Sequence, residues 1–165
     1  MNIRKINEKD DLKQISTIYE KSWKWAYKGI IPQNFLDKIP EGKWINHLKK
    51  SEMTSFVIEE NDLLIGTASV CRSRFKCFAD MGEIVSIYML PEFAGRGYGR
   101  KLLEMAVNEL QKMGFDKFFL WVLEKNYNAR RFYENNGFTK SDKVLNDNIG
   151  GKSVKEIAYV KRINA

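Results

Sequence analysis

The sequence predicts an α/β domain in which helices cover the faces of a mixed β-sheet. Three observations carry that prediction. Short apolar runs are bounded by turn residues, stretches with apolar residues at every third or fourth position lie between them, and a glycine-rich turn leads from one such run into one such stretch. At 165 residues the chain fits a single domain, 1–165.

Asn2–Ile6 reads as a first strand. From Asp10 to Tyr27, Leu12, Ile15, Ile18 and Trp23 recur at helical spacing, and Pro32 ends the segment. A second helical stretch runs through Phe35, Leu36, Trp44 and Leu48. Ser55–Glu59 and Leu63–Val70 read as strands joined at Asn61-Asp62, a hairpin signal. Ile84–Leu90 is an apolar strand stopped by Pro91. Leu103, Ala106, Val107 and Leu110 then share one helical face, with Gly114 as its C-cap. Phe118–Leu123 is a nearly continuous apolar run, as expected of a strand covered on both faces. Asn126–Asn136 has helical spacing through Ala129, Phe132 and Tyr133. Two last strands, about Phe138–Leu145 and Val154–Val160, flank Gly150-Gly151.

The composition excludes several functions. Met1–Asp11 is mostly polar and charged, and no run of about 18 apolar residues occurs. The expectation is a cytoplasmic protein with no membrane partner. Cys71, Cys77 and His47 are too few for a zinc site, so no metal is expected. The net charge of +7 favours anionic partners, but its basic residues are spread along the chain. Without a basic tail, zinc finger or aromatic RNA-binding signature, no nucleic-acid partner is expected.

The most informative segment is Pro91–Arg100, which joins a strand to a helix. Its glycines, Gly95, Gly97 and Gly99, let the backbone turn tightly and approach a ligand without a Cβ in the way. The first amides of the following helix lack internal partners and favour an anion, and Arg96, Arg100 and Lys101 add positive charge. Together these suit a pyrophosphate. The spacing fits neither a P-loop nor a Rossmann fingerprint. A loop whose glycines merely serve the turn is the plain alternative.

With two further motifs, the chain resembles the GNAT superfamily of N-acetyltransferases. The carrying residues are Glu83-Ile-Val-Ser-Ile-Tyr-Met-Leu-Pro91, Gly95-Arg-Gly-Tyr-Gly99 and Asn126-Tyr-Asn-Ala129-Arg-Arg-Phe132-Tyr133-Glu-Asn-Asn-Gly137-Phe138. The family's loop usually reads Gln/Arg-x-x-Gly-x-Gly/Ala; Ala94 stands at the Gln/Arg position, while Gly97 and Gly99 match. The resemblance implies a mostly antiparallel central sheet, an acetyl-CoA-binding core at 54–138, an acceptor-side strand and helices at 1–53, and C-terminal strands at 139–165.

It also implies the site. The pyrophosphate would meet Arg96, Gly97, Tyr98, Gly99 and Arg100. The pantetheine arm would run beside Tyr88-Met89-Leu90 as an added strand does, near Asn126 and Ala129. Asn126 is equally suited to cap its own helix.

Acetyl transfer from acetyl-CoA to an amine needs a neutral nucleophile, a stabilised oxyanion and a thiolate able to leave. Amides near Met89 suit the oxyanion of a tetrahedral intermediate. The resemblance gives Tyr133 the role of acid toward the sulfur; the alternative is a core tyrosine. Glu83 is the candidate base, facing the acceptor from the start of an apolar strand. It nonetheless lies on the order of 13 Å from Ile87 along that strand, so a water relay would be needed. A carboxylate paired with a nearby Arg or Lys is the alternative. Trp23 and Tyr27, with Trp25 and Trp44, form a candidate acceptor wall for a small-molecule or peptide amine, the alternative being aromatic residues of the core. A non-catalytic acyl-CoA-sensing module is the alternative function, and a homodimer is compatible with either.

Overall fold

The computed structural model describes residues 1–50 and 52–163. The strands are β1 (Asn2–Lys5), β2 (Thr54–Glu60), β3 (Leu63–Arg72), β4 (Gly82–Met89), β5 (Lys117–Leu123), β6 (Thr139–Ile149) and β7 (Lys152–Arg162). They form one sheet in the order β1-β2-β3-β4-β5-β7-β6, which takes strands from all three stretches of the chain. The mostly antiparallel sheet anticipated from the sequence is therefore observed. Among the described strands β4 and β5 pair in parallel and the rest antiparallel. The β2–β3 hairpin turns at Asn61 and Asp62, with φ of 50° and 63°. Two left-handed residues are what a two-residue turn matching the strand twist requires.

The helices are α1 (Leu12–Ala26), α2 (Gln33–Asp37), α3 (Ile45–Leu48), α4 (Tyr98–Lys112) and α5 (Tyr127–Asn135). The second helical stretch is thus two short helices, with Pro40 and Gly42 in the intervening turn. Asp11 caps α1 by accepting from the amide of Lys13 at 2.9 Å.

Strand alternation assigns the two faces of the sheet. On one face, Phe56, Val70, Ile84, Leu120, Val122 and Ile157 pack with Leu103, Ala106 and Leu110 of α4 and with Phe132 and Tyr133 of α5. On the other, the buried hydroxyl of Tyr19 in α1 meets Ser69 and Ser86 at 3.3 and 3.1 Å, and Ser55 meets Ser69 at 2.7 Å. This polar patch ties α1 to β2, β3 and β4. Further along the same face, Leu123 and Val154 pack with Leu36, Trp23 and Tyr27.

Candidate active site

The sheet opens at its centre. β4 and β5 pair only at Gly82–Phe118 and Glu83–Phe119, after which no described pairing joins them. A bulge contributes to this parting. Ser69 faces Ser86 and Val70 faces Ile84, so Val85 is an extra residue on β4. The parting leaves a cleft of about 860 Å³ that passes through the sheet and is lined from both faces.

One edge of the cleft carries free backbone groups. The Leu90 amide donates to the Ile65 carbonyl at 2.8 Å. Alternation along an antiparallel strand then turns the amides of Ile87 and Met89 the other way, toward the cleft. The Leu90 side chain is buried in the core and does not line the cleft, unlike Tyr88 and Met89.

At the α4 end of the cleft lies the glycine loop. Gly97 caps α4 with φ of 85°, and a Cβ built there would meet no protein atom within 4 Å. The first amides of α4, free of partners within the helix, lie at this same end. Gly95, Gly97 and Gly99 line the cleft, as do Asn126, Ala129 and Tyr133. The loop's longer side chains do not. The Tyr98 hydroxyl bonds to the Glu60 carboxylate, Arg100 pairs with Glu104 at 3.1 Å, and the Arg96 guanidinium lies 5.2 Å from the Phe93 ring centre. These three residues offer main-chain groups to the loop while their side chains are engaged elsewhere.

Asn126 caps α5, its Oδ1 accepting from the Ala129 amide at 3.2 Å. The side-chain NH2 is the group it has left to present. Tyr133 is half-buried on the α4–α5 face, and its phenol is raised above the ordinary tyrosine value by burial and by nearby Tyr88. Burial likewise pushes Tyr88 up to about 12. Tyr27 is raised by burial and then by Tyr88. Three protonated phenols thus meet around the cleft.

Glu83 lines the opposite end. Arg74 donates to its Oε1 at 2.7 Å and to its Oε2 at 3.0 Å, and the Arg74 amide adds a third bond at 3.2 Å. The Cys71 thiol also points to Oε2, at 3.8 Å, and burial followed by the Glu83 charge lifts it to about 11. Glu83 is therefore an ion-paired carboxylate with both oxygens occupied.

The aromatic residues near the N terminus divide. Trp23 packs on Tyr27 at 4.9 Å and on Trp44 at 5.5 Å, and both Trp23 and Tyr27 line the cleft. The Lys43 ammonium lies 5.8 Å from the Trp23 ring centre, close to Trp44 and Phe35. Trp25 also lines the cleft, although it is 59% exposed, whereas Trp44 does not line it. The indole N–H groups of Trp23 and Trp121 are buried without a protein acceptor, and both residues line the cleft.

Among the cleft residues that escape a reading of the sequence are Arg74 and Phe75 after β3, Trp121 of β5 and Glu156 of β7. Glu156 carried a signal. On its face, β7 reads Val154, Glu156, Ala158, Val160, one acid in an apolar row. Among the described residues, no group of three or more metal-ligating side chains gathers, and no helix is long and apolar enough to cross a membrane.

The family model for acetyltransferases of the GNAT family matches residues 12–138. The chain belongs to the GNAT acetyltransferase family. It is 30% identical to the uncharacterized N-acetyltransferase YuaI of Bacillus subtilis, covering 90% of this chain and 86% of that protein. It is 26% identical to the spermidine N(1)-acetyltransferase of Thermoplasma acidophilum, covering 86% and 90%. Among solved structures, the PaiA N-acetyltransferase of Thermoplasma acidophilum in complex with coenzyme A superposes with a TM-score of 0.78 at 24% identity, over 98% of each chain. The ribosomal-protein-S18-alanine N-acetyltransferase of Escherichia coli gives 0.73 at 19% identity, over 99% of this chain and 94% of that one. As a GNAT protein the chain is an acyltransferase, and the parted β4 and β5 are the centre of its fold.

Proposed function

We propose that this acyltransferase moves an acetyl group from acetyl-CoA to the amine of a small molecule or peptide, by direct attack through a tetrahedral intermediate. The observation that carries the reading is the cleft between β4 and β5, which joins the glycine loop and Tyr133 on one face to Tyr27, Tyr88 and the aromatic wall on the other.

The residues present suit the cofactor. An anion over Gly97 would accept from the first amides of α4, where the helix dipole favours negative charge. Ala94 removes a polar side chain from that loop, but the donors that matter there are main-chain. A pantetheine arm between the parted strands would pair with the free edge of β4 at Ile87 and Met89, as an added strand does. Asn126 and Ala129 flank its path.

The chemistry follows from the groups that surround the thioester in this pose. The inward amides of Ile87 and Met89 are fixed donors for the developing oxyanion. Tyr133, kept protonated by its burial, gives its proton to the departing sulfur. Glu83, bound at both oxygens by Arg74, shapes the far end of the cleft. The relatives point to two acceptor chemistries: one is named for spermidine and the other for an alanine of ribosomal protein S18.

The test is coenzyme A release from acetyl-CoA in the presence of an amine panel. Amine-dependent release supports the transfer reaction. Saturable acetyl-CoA binding with no turnover on any amine would favour a sensing module instead.

A further inference from the structure

Glu156 is a carboxylate without a partner. No described residue donates to it or forms an ion pair with it, although it is half-buried and lines the cleft. A half-buried carboxylate without a partner is costly and calls for a role. The other acid of the cleft, Glu83, is held by Arg74.

Its level in the sheet is informative. Gly82 pairs with Phe118 and Glu83 with Phe119, and with the extra residue Val85 counted on β4 that register carried forward sets Tyr88, between the amides of Ile87 and Met89, level with Leu123. Glu156 stands opposite Leu123. It is therefore level with the free amides of β4, whereas Glu83 is four residues lower, about 13 Å along the strands.

Its face is informative too. Glu156 shares the Leu123 and Val154 face, with Trp23 and Tyr27, while Tyr133 packs on the opposite face with α4. A donor laid along the glycine loop reaches the gap from the Tyr133 face. An acceptor must then approach from the other, between Trp23, Tyr27 and Glu156.

We infer that Glu156 is the acceptor-side base: it receives a cationic aliphatic amine as its ammonium ion and takes the proton that must leave before attack. This rests on the acetyl-transfer reading above. In the step, an N–H bond breaks toward a Glu156 carboxylate oxygen and leaves the electron pair on nitrogen. That pair forms the C–N bond, the C–S bond breaks, the sulfur takes the Tyr133 proton, and the nitrogen sheds its second proton to the tyrosinate. Glu156 then returns its proton to solvent. Burial and then the Asp147 charge raise the Glu156 carboxyl above the ordinary range, toward what a base working near neutrality needs. The groups facing it are Tyr27 at the end of α1, Tyr88 of β4 and Asp147 of β6. An ammonium ion is the partner this acidic, aromatic end of the cleft lacks.

The experiment compares wild type, Glu156→Gln and Glu156→Asp with n-hexylamine, spermidine and a peptide bearing N-terminal alanine, from pH 6.5 to 10. Acetyl-CoA binding is measured by calorimetry in parallel. The expected result is unchanged acetyl-CoA affinity and an about 100-fold loss of kcat/KM in Glu156→Gln at pH 7. The loss should shrink toward pH 10, where the amine arrives neutral, and Glu156→Asp should recover part of it. A Glu156→Gln protein with wild-type kcat/KM at pH 7, or with the same fractional loss at every pH, overturns the assignment. Wild-type protein that binds acetyl-CoA but acetylates none of the amines overturns the transfer reading and this proposal with it.

Discussion

Arg74 and Glu83 form a closed pair: two guanidinium bonds, at 2.7 and 3.0 Å, hold a carboxylate that is 1% exposed. The pair fixes the loop after β3 against the start of β4, below the point where β4 and β5 part. Removing Arg74 leaves the buried Glu83 carboxylate without its counter-charge. Arg74→Ala is expected to cost about 2 kcal/mol in urea unfolding, less than a fully buried pair because Arg74 is partly exposed. Loss of under about 0.5 kcal/mol would show that water replaces the arginine. Glu83→Gln should leave the pH profile of kcat/KM in place. A shifted profile would return the base role to Glu83.

Tyr133 should act on the chemical step. Tyr133→Phe is expected to lower kcat about 100-fold with acetyl-CoA affinity within about twofold of wild type. Because its phenol is raised above the ordinary tyrosine value, wild-type activity should show no falling limb from its deprotonation below about pH 10. A variant with unchanged kcat would make Tyr133 a core residue only.

The space over Gly97 should be the phosphate path. With φ of 85°, Gly97→Val imposes a strain of about 1–3 kcal/mol and puts a branched side chain at the end of α4 that carries its free first amides. Acetyl-CoA binding by calorimetry should be lost. Gly114→Val, at φ of 98° and also with open space at its Cβ, imposes comparable strain at the far end of α4. It should bind normally. Equal loss in both would mean that backbone strain, and not a blocked path, is responsible.

Glu156 also predicts a stability change of definite sign. Burial raises its folded-state value, so the folded protein holds that proton more tightly than the unfolded chain does. Its contribution is fully present below the unfolded value and is lost as pH rises through the folded one. Above that window the ionised carboxylate is a cost. Glu156→Gln should raise the urea midpoint at pH 7 and leave it unchanged at pH 4. A midpoint that falls at pH 7 would mean that Glu156 has a stabilising partner.

Much of this molecule is legible in its linear order. Apolar spacing marks α1, α4 and α5, Asn61-Asp62 marks the β2–β3 turn, and the glycines before α4 mark a place where a ligand approaches backbone. These are local properties, set by side-chain period and by allowed φ, and a chain carries them without its neighbours. The motif at Asn126–Phe138 joined them into a family resemblance, which the family match over residues 12–138 bears out.

What the tertiary structure decided depends on contacts distant in sequence. Tyr98 and Arg100 sit in the loop motif, yet their side chains turn to Glu60 and Glu104. Glu83 looks available until Arg74, nine residues earlier, closes on it. Glu156 lies 33 residues beyond Leu123 in the chain, but the β5–β7 pairing sets the two opposite each other. Sequence alone determined which elements form, because that follows from local period and turn chemistry. Only the folded sheet decided which charges are neutralised and which stand unpaired at the cleft, because pairing a charge needs a partner brought near in space.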